Sequence, residues 1–150
     1  MNRRLALGLL ITAAVALGSL REFLFVNLNY QIDHVERATD FSYAHTLFQG
    51  WVQGWELTTL LLAKWALALG FIGTMLGLAI GLARLLAGDH RHARALALGY
   101  AAAGGLALLL HGAAPWMPPL EAASVKLLHM LQYPVVLFFI WAGWTLRRAA

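Results

Sequence analysis

A polar stripe near the C-terminal end of the chain carries the side chains most able to do chemistry. Its members are Lys126, His129, Gln132 and Tyr133. On a helix that turns 100° per residue they share an arc of about 120°. An imidazole on this face could ligate a haem iron or hydrogen-bond a quinone carbonyl. Pro134 follows directly and cannot donate to the carbonyl of Met130, so a kink is predicted at this depth.

Other polar side chains are expected at the same end of the molecule. His111 closes the preceding apolar stretch, whereas Glu56 and Lys64 begin another one. If His111 and His129 face each other, two neutral imidazoles could ligate one haem iron in a pocket that opens to the outer leaflet. The candidate residues for binding a ligand or cofactor are His111, His129, Gln132, Tyr133, Lys126, Glu56 and Lys64.

A simpler interpretation assigns these residues to the outer boundary of a membrane. The ammonium groups of Lys64 and Lys126 can extend to the lipid headgroups, and histidines at that level meet water. Arg21 and Glu22, which end the first apolar stretch, fit the same interpretation. The sequence leaves a site and a boundary as alternatives.

Several classes of enzyme are excluded or disfavoured. The chain has no cysteine, so it has no thiolate nucleophile, disulfide, iron–sulfur cluster or cysteine zinc site. No single helix carries an HxxxH or HExxH pair, so no metal site is expected. The serines have no nucleophile-elbow motif around them. We therefore predict no catalytic residues and favour a protein that is not an enzyme.

The elements that must position these residues are predicted to be membrane helices. Of 150 residues, 61% are hydrophobic and only 12% are charged, which is too apolar for a soluble core of this size. Four stretches are long enough to span a bilayer. They cover residues 5–26, 57–86, 95–112 and 125–146. The predicted fold is an all-α, four-helix transmembrane bundle that forms one domain. A signal peptide is the alternative for the first stretch, but its apolar run continues to Val26.

The basic residues predict the orientation of the bundle. The net charge is +4, yet the basic residues lie between apolar runs, so nucleic acid is rejected as a partner. Seven arginines fall on one side of the predicted bundle and four basic residues on the other, which favours two cytoplasmic termini in a bacterial-type inner membrane. The seven are Arg3, Arg4, Arg84, Arg91, Arg94, Arg147 and Arg148.

A long outer loop, residues 27–56, is predicted between the first two spans. Polar and apolar residues alternate over residues 27–32, which suggests an extended segment on the bundle. A short interfacial helix is expected from Asp40, its predicted N-cap. Its apolar residues recur on one helical face. They are Phe41, Ala44, Phe48, Trp51 and Trp55.

A glycine ridge in the second span is the clearest packing signal. It comprises Gly70, Gly73, Gly77 and Gly81. Glycines spaced in this way let another helix backbone approach closely. The partner is expected within the chain, at the small residues of the third span, with a second copy of the chain as the alternative. Those small residues are Gly99, Ala103, Gly104 and Gly105.

These patterns predict a non-catalytic membrane subunit or an interaction protein. Its expected partners are the lipid bilayer and other membrane subunits or a second copy. A quinone- or haem-binding redox subunit is the first alternative, and a small homo-oligomeric transporter or channel is the second. Transport is disfavoured because the inner half of the predicted bundle is nearly free of polar groups, with Thr12, Thr74 and Tyr100 as its main exceptions.

Overall fold

All of the regular secondary structure in the described part of the chain is α-helical. The structure, a computed structural model, describes residues 2–88 and 91–149, apart from the side chains of residues 4, 91 and 147–149. No strand occurs within these ranges. The helices are α1 (Arg3–Arg37), α2 (Thr46–Val52), α3 (Leu57–Ala87), α4 (Arg91–Ala113), α5 (Pro119–Gln132) and α6 (Val135–Ala149).

Most of these helices have the length and apolar character of membrane spans. Among the described residues, α1, α3 and α4 are each long and apolar enough to cross a bilayer. Helices α5 and α6 pass the same test only together, and their axes differ by 61°. The described residues thus contain three candidate membrane spans, or four if the bent pair is one span, which is consistent with a helical membrane protein.

Helix α1 is much longer than the sequence predicted. Its 35 residues rise about 52 Å, well beyond the roughly 30 Å of a hydrocarbon core. The extended segment expected at residues 27–32 was wrong, because these residues are helical. Leu28 and Ile32, one helical turn apart, are buried against a common cluster with Phe48 and Leu60. This packing stabilises the added turns of α1 as a helix.

Helix α2 is shorter than expected and starts later. It begins at Thr46, not after Asp40, and the imidazole of His45 accepts a hydrogen bond from the N–H of Leu47. The predicted apolar face was therefore wrong in part. Phe48 and Val52 are buried, whereas Trp51 points to the surface. The preceding segment is held by Asn27, whose side chain accepts a hydrogen bond from the backbone of His45.

Helices α1 and α3 form an antiparallel pair with a hydrogen bond near one end. The guanidinium of Arg3 donates to the carbonyl of Leu86 at 2.8 Å. Near the opposite end, Leu28 and Leu60 share a buried cluster. We call these two ends of the molecule the Arg3 end and the α2 end. Gly88 ends α3 in the left-handed conformation, with φ of 77°, and donates to the carbonyl of Arg84.

The kink predicted at Pro134 is confirmed as a complete break between α5 and α6. Tyr133 ends α5 in an extended conformation, with φ of −105° and ψ of 159°. This conformation is favoured before proline, because the proline ring clashes with a helical residue at that position. Helix α6 begins at Val135 and turns away from α5. The side chains of Gln132 and Tyr133 therefore lie at a corner of the backbone.

Candidate functional site

Four polar side chains from α1 and the α5–α6 break form a hydrogen-bonded network, which we call the Arg21 junction. Arg21 is 3% exposed and Gln132 is 2% exposed, although both lie in apolar helices. The guanidinium donates from Nε to Oε1 of Gln132 at 3.0 Å and from Nη1 to the Tyr133 hydroxyl at 3.0 Å. Nη1 also forms an ion pair with Glu22 at 3.2 Å. The Tyr133 hydroxyl in turn donates to Glu22.

Aromatic rings and a close backbone approach complete the surroundings of Arg21. Its guanidinium carbon lies 4.4 Å from the centre of the Phe25 ring and 4.8 Å from that of Tyr133. Both distances are within the range of cation–π attraction. Gly18, one turn before Arg21, faces the ring of Pro134, which would lie 3.4 Å from an added Cβ. A small residue at this position lets α1 approach the break closely.

The C-terminus of α5 favours a positive charge near Gln132. Gln132 is the last residue of α5, and the final carbonyls of a helix carry a partial negative charge. The guanidinium of Arg21 hydrogen-bonds the side chain of this residue, and its charge is paired with that of Glu22. The junction therefore neutralises a buried charge by contacts within the chain.

The structure brings four of the sequence-predicted residues to this region. Gln132 and Tyr133 belong to the junction itself. His129 is exposed, and its ring centre lies 6.4 Å from that of Tyr133. It is close enough to Arg21, Glu22 and Lys64 to be influenced by their charges. Neither His129 nor Lys64 forms a hydrogen bond or an ion pair with any described residue.

The remaining predicted residues lie elsewhere. His111 pairs with Glu121, with 2.8 Å between Nδ1 and Oε2, and its ring contacts Trp65. Glu121 precedes His129 by eight residues on α5, which is a rise of about 12 Å. His111 thus lies at the level of Glu121, eight residues before His129 on α5, and coordination of one iron by both imidazoles stays a prediction. Lys126 and Glu56 are exposed and take no part in the junction.

Arg21 and Glu22 are the residues of the site that the sequence did not select. Their signal was a charged pair directly followed by the apolar run Phe23 to Val26. A helix end was the simpler reading of that pair, because the first span was expected to stop nearby. Once α1 continues to Arg37, the pair lies in the interior of a helix and needs partners.

The glycine ridge is mostly open. Only Gly81 is packed, with Leu10 lying 3.4 Å from an added Cβ. At Gly70, Gly73 and Gly77 an added Cβ would meet nothing within 4 Å. The expected contact of these three glycines with the third span is therefore wrong. Contact with a second copy stays a prediction.

An apolar cluster lies between the junction and the Arg3 end of the molecule. It consists almost wholly of aliphatic side chains from five helices, with the hydroxyl of Tyr100 as a buried polar group that has no hydrogen-bond partner among the described residues. Its other buried members are Ala14, Met75, Ala79, Leu82, Leu86, Leu131 and Leu137. The Arg21 junction therefore borders apolar side chains on the side that faces the Arg3 end.

Comparison of the chain with known protein families, with characterised proteins and with solved structures gives no match.

Proposed function

We propose that this chain is a non-catalytic, multispanning protein of a bacterial-type inner membrane that acts as a subunit or interaction protein. The observation that carries this proposal is the open face of α3. Gly70, Gly73 and Gly77 are exposed there without any neighbour in the space of a side chain. Helices in membranes associate through such small residues, because backbones can then approach closely. The occupant would be a helix of a second copy or of another membrane subunit.

The Arg21 junction supports a structural role rather than catalysis. Its donors at Nε and Nη1 and the Tyr133 hydroxyl all have partners within the chain. A general acid or base must instead reach a reacting group of the substrate. The junction joins α1 to the α5–α6 break and so holds the fourth span in its bent shape. We take this as the internal brace of a four-helix bundle.

Association through the open face of α3 can be tested by native mass spectrometry after extraction in a lipid-retaining polymer. We expect wild-type chains to leave the membrane with a second copy or with a defined partner subunit. Gly77→Leu should weaken this association about tenfold, because overpacking of a close contact costs more than about 1 kcal/mol. Gly8→Leu is the matched control, since Gly8 is an exposed helical glycine on α1. Wild-type chains that are always solitary would contradict the proposal.

The proposed topology places both termini in the cytoplasm and the segment between α1 and α3 outside. Because the described chain has no free cysteine, single cysteines can report accessibility. Thr39 and His92 are both exposed and lie at opposite ends of the molecule. In intact cells, an impermeant thiol reagent should label Thr39→Cys and leave His92→Cys unlabelled. Labelling of His92→Cys alone would reverse the orientation.

A quinone-binding subunit is the second candidate function. It is supported by His129, which is exposed beside Tyr133 and has no hydrogen-bond partner among the described residues. Such an imidazole could donate to a quinone carbonyl from the side of the membrane. Extraction followed by mass spectrometry of small molecules would reveal a retained quinone. A transporter ranks below both, because the apolar cluster next to the junction offers no polar route to the Arg3 end.

A further inference from the structure

An apolar cavity lies among α3, α4 and α6 at the Arg3 end of the molecule. Its volume is about 300 Å³, at the lower end of the range of about 300–1,000 Å³ typical of ligand sites. Leu86 of α3, Ala95 of α4 and Ile140 of α6 each contribute to its walls. Among the described residues that line it, only His92 is ionisable. The cavity therefore combines hydrocarbon walls with a polar group at the start of α4.

This cavity lies on a different face of α3 from the open glycines. Leu86 follows Gly77 by nine residues, which is a rotation of about 180° at 100° per residue. Helices α4 and α6 supply the other walls, so the cavity is formed within one chain. A partner helix that packs on the open glycines would cover the other side of α3. What fills the cavity is thus independent of the proposed association.

The charged residues of α3 indicate the level of the cavity in a bilayer. Lys64 and Arg84 are the two charged residues of this helix, and Arg84 follows Lys64 by 20 residues. The rise between them is about 30 Å, which equals the thickness of a hydrocarbon core. Charged side chains of a membrane helix favour its two boundaries, and tryptophans such as Trp144 in the cavity lining favour the same level. The cavity therefore lies where headgroups meet acyl chains.

The described charges around the cavity are positive. Arg84 and Arg94 are exposed, and neither forms an ion pair with a described residue. Each lies within two residues of the lining, at Leu86 and Ala95 respectively. The guanidinium of Arg3 donates to the backbone carbonyl of Leu86 and adds a third positive charge. An anionic group is attracted to such a surface.

The sequence of this end has the same sign as the described side chains. Its segments contain seven arginines and a single acidic residue, Asp89, which lies outside the described residues. These segments are residues 1–20, 80–100 and 140–150. The C-terminus of α3 adds partial negative charge, but Arg3 and the N–H of Gly88 already donate to two of its carbonyls. The positive charge thus exceeds the negative charge at the level of the cavity.

We propose that this cavity binds one anionic phospholipid, of the phosphatidylglycerol class, from the leaflet at the Arg3 end. Part of one acyl chain lies among α3, α4 and α6, against Leu86 and Ile140. The phosphate lies at the opening, where Arg84 and Arg94 supply the opposite charge. Basic pockets between membrane helices suit anionic headgroups in this way. A zwitterionic lipid gains less, because the same arginines repel its ammonium group.

The test uses the full chain in vesicles that contain equal amounts of phosphatidylglycerol and phosphatidylcholine. Native mass spectrometry counts and identifies the lipids that stay bound after extraction. We expect one phosphatidylglycerol per chain, enriched about tenfold over phosphatidylcholine by the two arginines. A wild type that retains neither lipid, or both equally, would overturn the proposal.

A pair of double variants tests the part played by charge. Arg84→Gln combined with Arg94→Gln should lose most of the preference for phosphatidylglycerol. Arg37→Gln combined with Lys126→Gln is the matched control, because it removes as much charge from exposed positions far from the cavity. This control should keep the preference of the wild type. Equal losses in the two double variants would show that net charge, and not this site, selects the lipid.

Two variants that fill the cavity separate a bound lipid from general attraction to a basic surface. Ala95→Leu and Ala87→Leu add a side chain to the lining from α4 and α3 and leave every charge in place. Both should lose the retained phosphatidylglycerol, and the Ala95 variant should fold normally because Ala95 is exposed. Ala102→Leu is the control, since Ala102 is an exposed residue of α4 outside the lining. If both filled variants retain the lipid as Ala102→Leu does, the cavity is not its binding site.

Discussion

Replacing Arg21 by methionine is expected to lower the free energy of unfolding by about 3 kcal/mol. Gln132 is buried and would lose its hydrogen-bond donor, and a buried unsatisfied polar group costs about 1–3 kcal/mol. Glu22 would keep only the Tyr133 hydroxyl. The rings of Phe25 and Tyr133 would each lose a cation–π contact. The effect is measured by reversible denaturant unfolding in mild detergent.

Two controls identify the cause of this destabilisation. Arg37→Met also removes an arginine from an ion pair on α1, but Arg37 is 72% exposed, so the change should cost at most about 1 kcal/mol. Arg21→Lys retains the charge and should recover little stability, because an ammonium cannot reproduce the fork that contacts Gln132 and Tyr133. Equal effects of Arg21→Met and Arg37→Met would show that the junction is not a structural brace.

A double-mutant cycle measures the contact itself. Arg21→Met and Gln132→Leu each leave the partner side chain without its hydrogen bond, whereas the double variant removes both groups together. We therefore expect the double variant to cost less than the sum of the single ones, with a difference of about 1 kcal/mol or more. Additive effects would mean that the hydrogen bond contributes nothing to stability.

The parts of the fold that could be predicted depend on local composition. The second span was expected over residues 57–86, and α3 is Leu57–Ala87. The third was expected over residues 95–112, and α4 is Arg91–Ala113. An apolar run of this length predicts a span, and a proline predicts a helix break because it has no N–H to donate. Both effects involve only neighbouring residues, so the sequence alone is enough to predict them.

The parts that were missed depend on partners distant in sequence. The polar and apolar alternation of residues 27–32 suits an extended segment as well as a helix. What decides the outcome is that Leu28 and Ile32 find a buried cluster with Phe48 and Leu60. That cluster exists only when α2 folds back over α1 and α3. The periodicity of residues 27–32 alone could not predict this packing.

Only part of the Arg21 junction could be predicted from the sequence. The sequence predicted polar groups at Gln132 and Tyr133 and a kink at Pro134, and the break between α5 and α6 lies there. Their partner Arg21 lies more than a hundred residues away, and its choice depends on how α1 is rotated and how far it extends. The position of His111 relative to α5 also depends on packing between helices. Its side chain pairs with Glu121, which precedes His129 on α5.

Helix α5, which ends at the Arg21 junction, packs against α4, and Ser124 lies in that contact. Ser124 is 1% exposed, and its hydroxyl donates to the carbonyl of Ala107 at 2.8 Å. Ala107 is itself fully buried. Small residues at both positions let the two helices approach closely. Gln132 follows Ser124 by about 12 Å along α5, so a shift of this helix moves Gln132 relative to Arg21.

Ser124→Leu is therefore expected to cost about 2–3 kcal/mol, because a larger side chain must separate α5 from α4. Ser124→Ala removes only the hydrogen bond and should cost about 0.6 kcal/mol. Ala123→Leu adds the same side chain at an exposed neighbouring position and should change stability by less than about 0.5 kcal/mol. If α4 does position the junction, Arg21→Met should cost less in the Ser124→Leu protein than in the wild type. An unchanged cost would mean that α1 and the break hold Gln132 in place without α4.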